Sequence, residues 1–157
     1  LKLITKRAIT THNSWTHNIE EFVTRERGTN HLYMHPDDAS RIGLSEGDLA
    51  DVSTEVSTVR VPVRLLSELM PGSVALPHGW GHQDSKMGVA SRTSGVNVNL
   101  LAADGPENLE KLSGMAHLTG IIVDVKPATG ELNSGHWSGI GREATAQASD
   151  ESVAADG

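Results

Sequence analysis

Apolar and polar positions along the chain alternate in short stretches, and few stretches carry a helical period. Residues 1–10 (LKLITKRAIT) are rich in β-branched and apolar side chains and predict an opening strand. His31 to Met34 predicts a second, short strand. Between His35 and Gly43 the signals are those of one compact helix. Pro36 stands in its first turn, Asp37 and Asp38 at its positive end, and Gly43 where it must stop. Leu49 to Val56 and Val59 to Leu66 then predict a hairpin turning through Ser57 and Thr58. In its second arm Val59, Val61, Val63 and Leu65 alternate with Arg60, Pro62 and Arg64, so one face is buried and the other is wet. Pro62 points to an edge or bulged strand, because it brings no N–H to a ladder. Ser73 to Pro77 predicts another strand, entered through a turn at Met70, Pro71 and Gly72, and His117 to Lys126 predicts the last. Many short strands with helices of two turns or fewer predict a small β-barrel, since a doubly wound sheet needs longer crossover helices.

Three polar loops interrupt this pattern, each near a predicted strand end. The first holds His12, Asn13, Ser14, Trp15, Thr16, His17 and Asn18, a cluster of neutral donors and acceptors that suits either a ligand or a hydrophilic turn at a barrel end. The second begins His78, Gly79, Trp80, Gly81, His82 and runs to Gly95 without a strand signal, and loops of that length in compact domains are usually functional or disordered. Its glycines argue against a helical metal clip and for a backbone that approaches a ligand closely. The third, Gly95 to Asn99, carries Asn97 and Asn99, which suit a ligand edge or a local cap. Gly72 and Ser73 form the kind of step at which some small-barrel decarboxylases cleave themselves, although a Pro-Gly-Ser turn explains the same residues.

Composition narrows the chemistry. The chain has 157 residues, with 13 Lys and Arg against 20 Asp and Glu, a formal charge of -7. Residues 1–127 hold 12 basic and 15 acidic residues, while 128–157 hold one basic residue, Arg142, and five acidic ones. That last segment is rich in Gly, Ala and Ser without a period, which predicts a domain over 1–127 and a disordered acidic tail over 128–157. His136 and Trp137 are its one candidate docking spot. Five aromatic residues and no basic run speak against nucleic acid, and no apolar stretch approaches the ~20 residues of a membrane span. There is no cysteine, so thiolate metal sites and a thiol nucleophile are excluded from this chain. No nucleophile elbow, phosphate loop or paired-carboxylate pattern is present. The chain starts at Leu1, which predicts processing or a longer parent.

Four stretches taken together resemble a known family: Met34 to Ser53 (MHPDDASRIGLSEGDLADVS), Val59 to Val63 (VRVPV), Met70 to His82 (MPGSVALPHGWGH) and Gly95 to Leu100 (GVNVNL). They are similar to the C-terminal molybdopterin-dinucleotide-binding domain of the molybdenum and tungsten oxidoreductases, which include formate dehydrogenases, nitrate reductases and dimethyl sulfoxide reductase. The resemblance implies a mainly β fold with short helices, a double-psi β-barrel. It implies molybdopterin guanine dinucleotide as cofactor. His12, Asn13, Ser14, His17 and Asn18 would face pterin and pyrophosphate. His78, Gly79, Trp80 and His82 would lie along a dinucleotide arm, and Asn97 and Asn99 would meet pterin or guanine edges. Arg7, Lys86 and Arg92 are the candidate cations, of which Arg7 is nearest the first loop. Members of the family often carry an aromatic–Lys pair before the last strand, where this chain has His117 and Leu118, which removes the basis for a contact there. The metal ligand and iron–sulfur cysteines lie in other domains of the family. The implied partner is therefore the rest of a parent oxidoreductase or a catalytic subunit, in the cytoplasm rather than the periplasm, and the isolated chain should not turn over. The alternative is a stand-alone barrel that binds a small molecule or metal through its histidines, and a third reading is a domain that contacts only protein.

Overall fold

The computed structural model describes residues 1–23 and 28–132. Of the expected tail, 133–157 lie outside the described residues, and with them His136 and Trp137.

Among the described residues seven strands form one sheet: β1 (Lys2–Lys6), β2 (Leu32–Met34), β3 (Leu49–Ser53), β4 (Thr58–Leu65), β5 (Ser73–Pro77), β6 (Thr119–Ile122) and β7 (Asp124–Pro127). Their order is β6-β1-β5-β2-β4-β3-β7. β1 runs parallel to β5 and β2 parallel to β4, and the antiparallel pair of β5 and β2 joins these two parallel pairs at the centre. The outermost strands of the order, β6 and β7, are separated in the chain by Val123 alone. β6 pairs with β1 and β7 with β3, so one continuous segment clasps both ends of the sheet and closes it into the mainly β, double-psi barrel. Leu1 holds the switch point: its ammonium donates to the Val123 carbonyl at 2.9 Å, and the Val123 amide donates back to its carbonyl at 2.9 Å. The single strand expected over His117 to Lys126 is thus two strands, because its halves face different partners.

Alternation puts Leu3, Leu32, Met34, Ala50, Val52, Val59, Val61 and Val63 into one core, while β5, crossed on both sides, is buried along its whole length. Each large side chain buried this way contributes roughly 1.5–3 kcal/mol. The expected hairpin forms, but it turns through Thr54 to Ser57 rather than Ser57 and Thr58: Ser53 and Thr58 are paired across the ladder. Val56 extended the apolar run in sequence, yet it is an exposed turn residue. Pro62 is not on an edge strand, since β4 lies between β3 and β2. It sits where β4 passes from one partner to the other: pairing with β3 ends at Pro62 and pairing with β2 starts at Val63, so the missing N–H falls where the second ladder has not begun. The helix α1 (Pro36–Ile42) is as its local signals require, with the His35 ring accepting from the Asp37 amide at 3.1 Å and Gly43 left-handed at φ 84°.

Candidate functional site

Parallel strands send the loops that follow them off the same edge. Because Lys6 pairs with Pro77, the loop after β1 and the long loop after β5 leave the barrel side by side, and the His78 amide extends the pairing to the Lys6 carbonyl at 3.0 Å. This brings together two of the three loops singled out in the sequence, and the third, Gly95 to Asn99, packs against the second.

Their contacts are close. The backbone of Gly79 lies so near the first loop that a Cβ there would stand 3.1 Å from the backbone of Asn13 and Ser14. At Gly81 a Cβ would be 2.8 Å from the Asn97 backbone nitrogen, and at Gly95 it would run into the Trp80 ring. The His78 Nε2 and Asn13 Oδ1 are 3.0 Å apart. The turn they hold is unusual: His12, Asn13 and Ser14 all have positive φ, at 41°, 58° and 97°. Asn accepts that conformation, but for Ser14 it costs roughly 1–3 kcal/mol, a strain that the surrounding contacts must offset.

Beneath the loops sits a packed ring cluster. His17 is fully buried, its ring centroid 4.3 Å from Trp80 and 5.3 Å from His82. Among the described residues neither His17 nitrogen has a hydrogen-bond partner, and the Trp80 Nε1 has none. Burial, and secondarily the neighbouring His82, push the His17 pKa down to about 4, so the ring is neutral at physiological pH. His82 points its Nε2 at the Gly79 carbonyl at 3.0 Å, tightening the turn between the two glycines.

The expected site residues divide by position. Arg7, His12 and Asn13 line an open cleft of about 270 Å³ together with Ala8 and Ile9. His17 and Trp80 lie below the surface as a floor. Asn18 spends its Oδ1 on the Val89 and Ala90 amides, at 2.9 and 3.3 Å, and so ties the first loop to the second. Asn97 caps the 3₁₀ turn Val98–Leu101 by accepting from the Asn99 amide at 3.1 Å, which leaves its NH₂ group and the exposed Asn99 side chain. Arg92 lies along the far part of the long loop, 3.9 Å from Glu20 and bonded to the Gly88 carbonyl at 2.9 Å, and Lys86 is exposed. Two residues that hold the loops carried no signal in the sequence. Gln83 donates to the Thr93 and Gly95 carbonyls at 2.8 and 2.6 Å, and buried Asn30 bonds both Pro77 and Val96. Their partners are distant in sequence, and no local pattern marks them.

A larger apolar groove of about 610 Å³ lies elsewhere, between the β3–β4 turn at Ser53 to Val56 and the chain at Ile121 to Asp124. Its polar atoms are few, and it shares no residue with the three loops. Among the described residues no group of three or more His, Asp or Glu is arranged to hold a metal ion. Among them, too, no helix is long and apolar enough to cross a membrane.

Comparison with known proteins gives this geometry its family. The pattern described as the Molydopterin dinucleotide binding domain matches residues 1–119. A tetrathionate reductase chain of Salmonella typhimurium is 28% identical over 116 residues, covering 62% of this chain and 11% of that protein. The molybdopterin-containing subunit of the arsenate respiratory reductase of Chrysiogenes arsenatis is 37% identical over 51 residues, 32% of this chain and 6% of its own. The alpha chain of the respiratory nitrate reductase of Haloferax mediterranei is 26% identical over 69 residues, 44% of this chain and 7% of its own. The chain thus spans about a tenth or less of these relatives' length. Among solved structures, acetylene hydratase from Pelobacter acetylenicus superposes with a TM-score of 0.67 at 20% identity, over 82% of this chain and 18% of that one, a likeness of fold. With its barrel, its converging loops and a match over most of its length, the chain belongs to the molybdopterin dinucleotide binding domain family.

Proposed function

We propose that this domain holds molybdopterin guanine dinucleotide across the end of the barrel where β1 and β5 release their loops, as one part of a longer molybdopterin-dependent oxidoreductase. The observation that carries the reading is the convergence of the three loops through glycines whose Cβ would strike the neighbouring loop's backbone. Such an edge offers backbone donors and neutral side chains at close range, which a long pterin, pyrophosphate and guanosine ligand requires. The residues present fit the group. Arg7 supplies a fixed positive charge beside His12 and Asn13 for the pyrophosphate. His78 and the amides of Asn97 and Asn99 suit base and pterin edges, while Gly79 and Gly81 let the backbone approach. Ser14 and Asn18 shape the first loop, and the rings of His17, Trp80 and His82 pack together beneath it, with His17 neutral. When bound, the cofactor carries the molybdenum or tungsten ion and supplies the redox chemistry. This chain's residues orient it and shield it from water.

Parent enzyme and partner follow the same reading. β6 starts at Thr119, opposite Ile4, so the turn at 109–118 lies at the cofactor end too, and it exposes Leu112 and Met115 as the first loop exposes Ile9 and Trp15. Large apolar side chains grouped at one end are what a surface covered by the rest of a catalytic subunit presents. The chain's lack of cysteine places any cysteine metal ligand or iron–sulfur cluster in that remainder.

Guanosine diphosphate, the nucleotide half of the cofactor, tests the location by amide chemical-shift mapping on the chain. Shifts are expected at residues 12–14, 78–82 and 97–99. Shifts confined to the groove at 53–56 and 121–124 would move the site and overturn the reading.

A further inference from the structure

The loop from His78 to Gly95 carries no strand and a single short 3₁₀ turn, Ala90–Arg92, and is longer than most connections in compact domains, yet its two roots are tied to each other. The tie is Asn30. Its Nδ2 donates to the Pro77 carbonyl at 2.9 Å and to the Val96 carbonyl at 2.9 Å, and its Oδ1 accepts from the Val96 amide at 2.9 Å. The residue is 1% exposed, so these bonds are not exchanged with solvent. Both amide hydrogens are used, and the set needs an Asn: a carboxylate would put an oxygen in place of the donating Nδ2 against two carbonyls, and an apolar residue would strand three backbone groups. Asn30 is itself anchored, because the chain enters β2 two residues later and Leu32 is fully buried between β4 and β5. The roots it joins are not equivalent. Pro77 ends β5 and releases the His78 to His82 turn, whereas Val96 precedes Asn97 and Asn99.

We propose that Asn30 is a positioning residue that fixes the spacing between the His78–His82 turn and the Asn97–Asn99 turn. On the reading above, which this inference deepens, that spacing is the width of the slot in which the dinucleotide lies. Asn30 touches no ligand and acts through Pro77 and Val96. Gln83 cross-ties the same loop further out, so losing Asn30 loosens the roots without releasing the whole loop.

The test compares the full chain with its Asn30→Asp and Asn30→Ser variants. The second keeps the site neutral in case the first does not fold. Hydrogen exchange of individual amides is the deciding measurement and needs no ligand. Exchange at 78–82 and 95–99 is expected to quicken about tenfold or more in the variants, the scale of one lost buried hydrogen bond, with β3, β4 and β7 unchanged. No local change, or a uniform quickening through all strands, overturns the positioning role, the latter showing a merely structural residue. Guanosine diphosphate affinity is measured alongside. Binding by the parent chain that weakens about tenfold in the variants is the expected result, and equal binding by all three overturns the link between spacing and ligand. If the parent chain does not bind at these loops, the cofactor location fails while the exchange result still decides the role of Asn30.

Discussion

His17 is the residue whose chemistry is most changed by its surroundings. Buried against Trp80 and His82, it has a folded pKa of about 4 against an ordinary 6.5. Between those values the unfolded chain binds a proton that the folded chain refuses, so stability rises with pH across this window. The contribution is fully present above pH 6.5 and lost as pH falls toward 4, by roughly 3 kcal/mol in total. His31 is lowered as well, by burial first and Arg64 second, and acts in the same direction. Glu110 and Asp124 are held below the usual carboxylate values, chiefly by hydrogen bonds from Ser113 and Lys126, so their contributions start to fall as pH drops through the ordinary carboxylate range, at the acidic edge of this window, and are gone only below their folded values. Urea unfolding at several pH values checks this, and His17→Leu is expected to flatten most of the slope between pH 6.5 and 4. A slope unchanged by that substitution would place the proton elsewhere. The polar character of the loop at 12–18 was legible in the sequence. That His17 faces inward was not, because no period governs a loop, and burial there depends on Trp80, more than sixty residues away.

At the scale of elements, local chemistry and long-range packing act on glycines in different ways. Gly43 ends α1 at φ 84° and a Cβ there would meet nothing within 4 Å. Gly43→Ala therefore carries only the cost of a left-handed side chain, about 1–2 kcal/mol, visible as a lower melting temperature with loop amide shifts unmoved. Gly81 has a similar φ of 94°, but its Cβ would stand 2.8 Å from the Asn97 nitrogen. Gly81→Ala is expected to part the second and third loops, shifting the amides of 95–99 and weakening guanosine diphosphate binding. Equal effects of the two substitutions would show that the loops do not depend on this approach. The helix, its Gly43 stop and the four strands between Leu32 and Pro77 could be read from the chain because their signals lie within a few residues, whereas the His35 ring that caps the helix start carries no such signal. The β3–β4 turn was misplaced because Val56 looks like strand continuation. The backbone settles it, with the Thr54 hydroxyl accepting from the Val56 and Ser57 amides and the Thr54 amide donating to the Ser57 carbonyl.

For the molecule as a whole, closure is the deciding event. The segment 119–127 covers β1 on one side of Val123 and β3 on the other, and Val123 and Val125 complete the core. Deleting 119–127 would expose two sheet edges and open the core at once, so cooperative thermal unfolding followed by circular dichroism is expected to disappear. A chain that still melts sharply without this segment would show that the sheet does not need its clasp. The sequence alone determined that short alternating strands carry the fold, that one capped helix follows His35, and that the polar chemistry sits in three loops at strand ends. These follow from periodicity, capping and composition, which act over a few residues. The tertiary structure decided that β1 and β5 run parallel and release two of those loops together, and that one strand divides at Val123. It also decided that Asn30 ties the loop roots, and that His17 is a buried floor. Each of these depends on pairing between residues tens of positions apart, where register is chosen by the burial of the whole core rather than by any local preference.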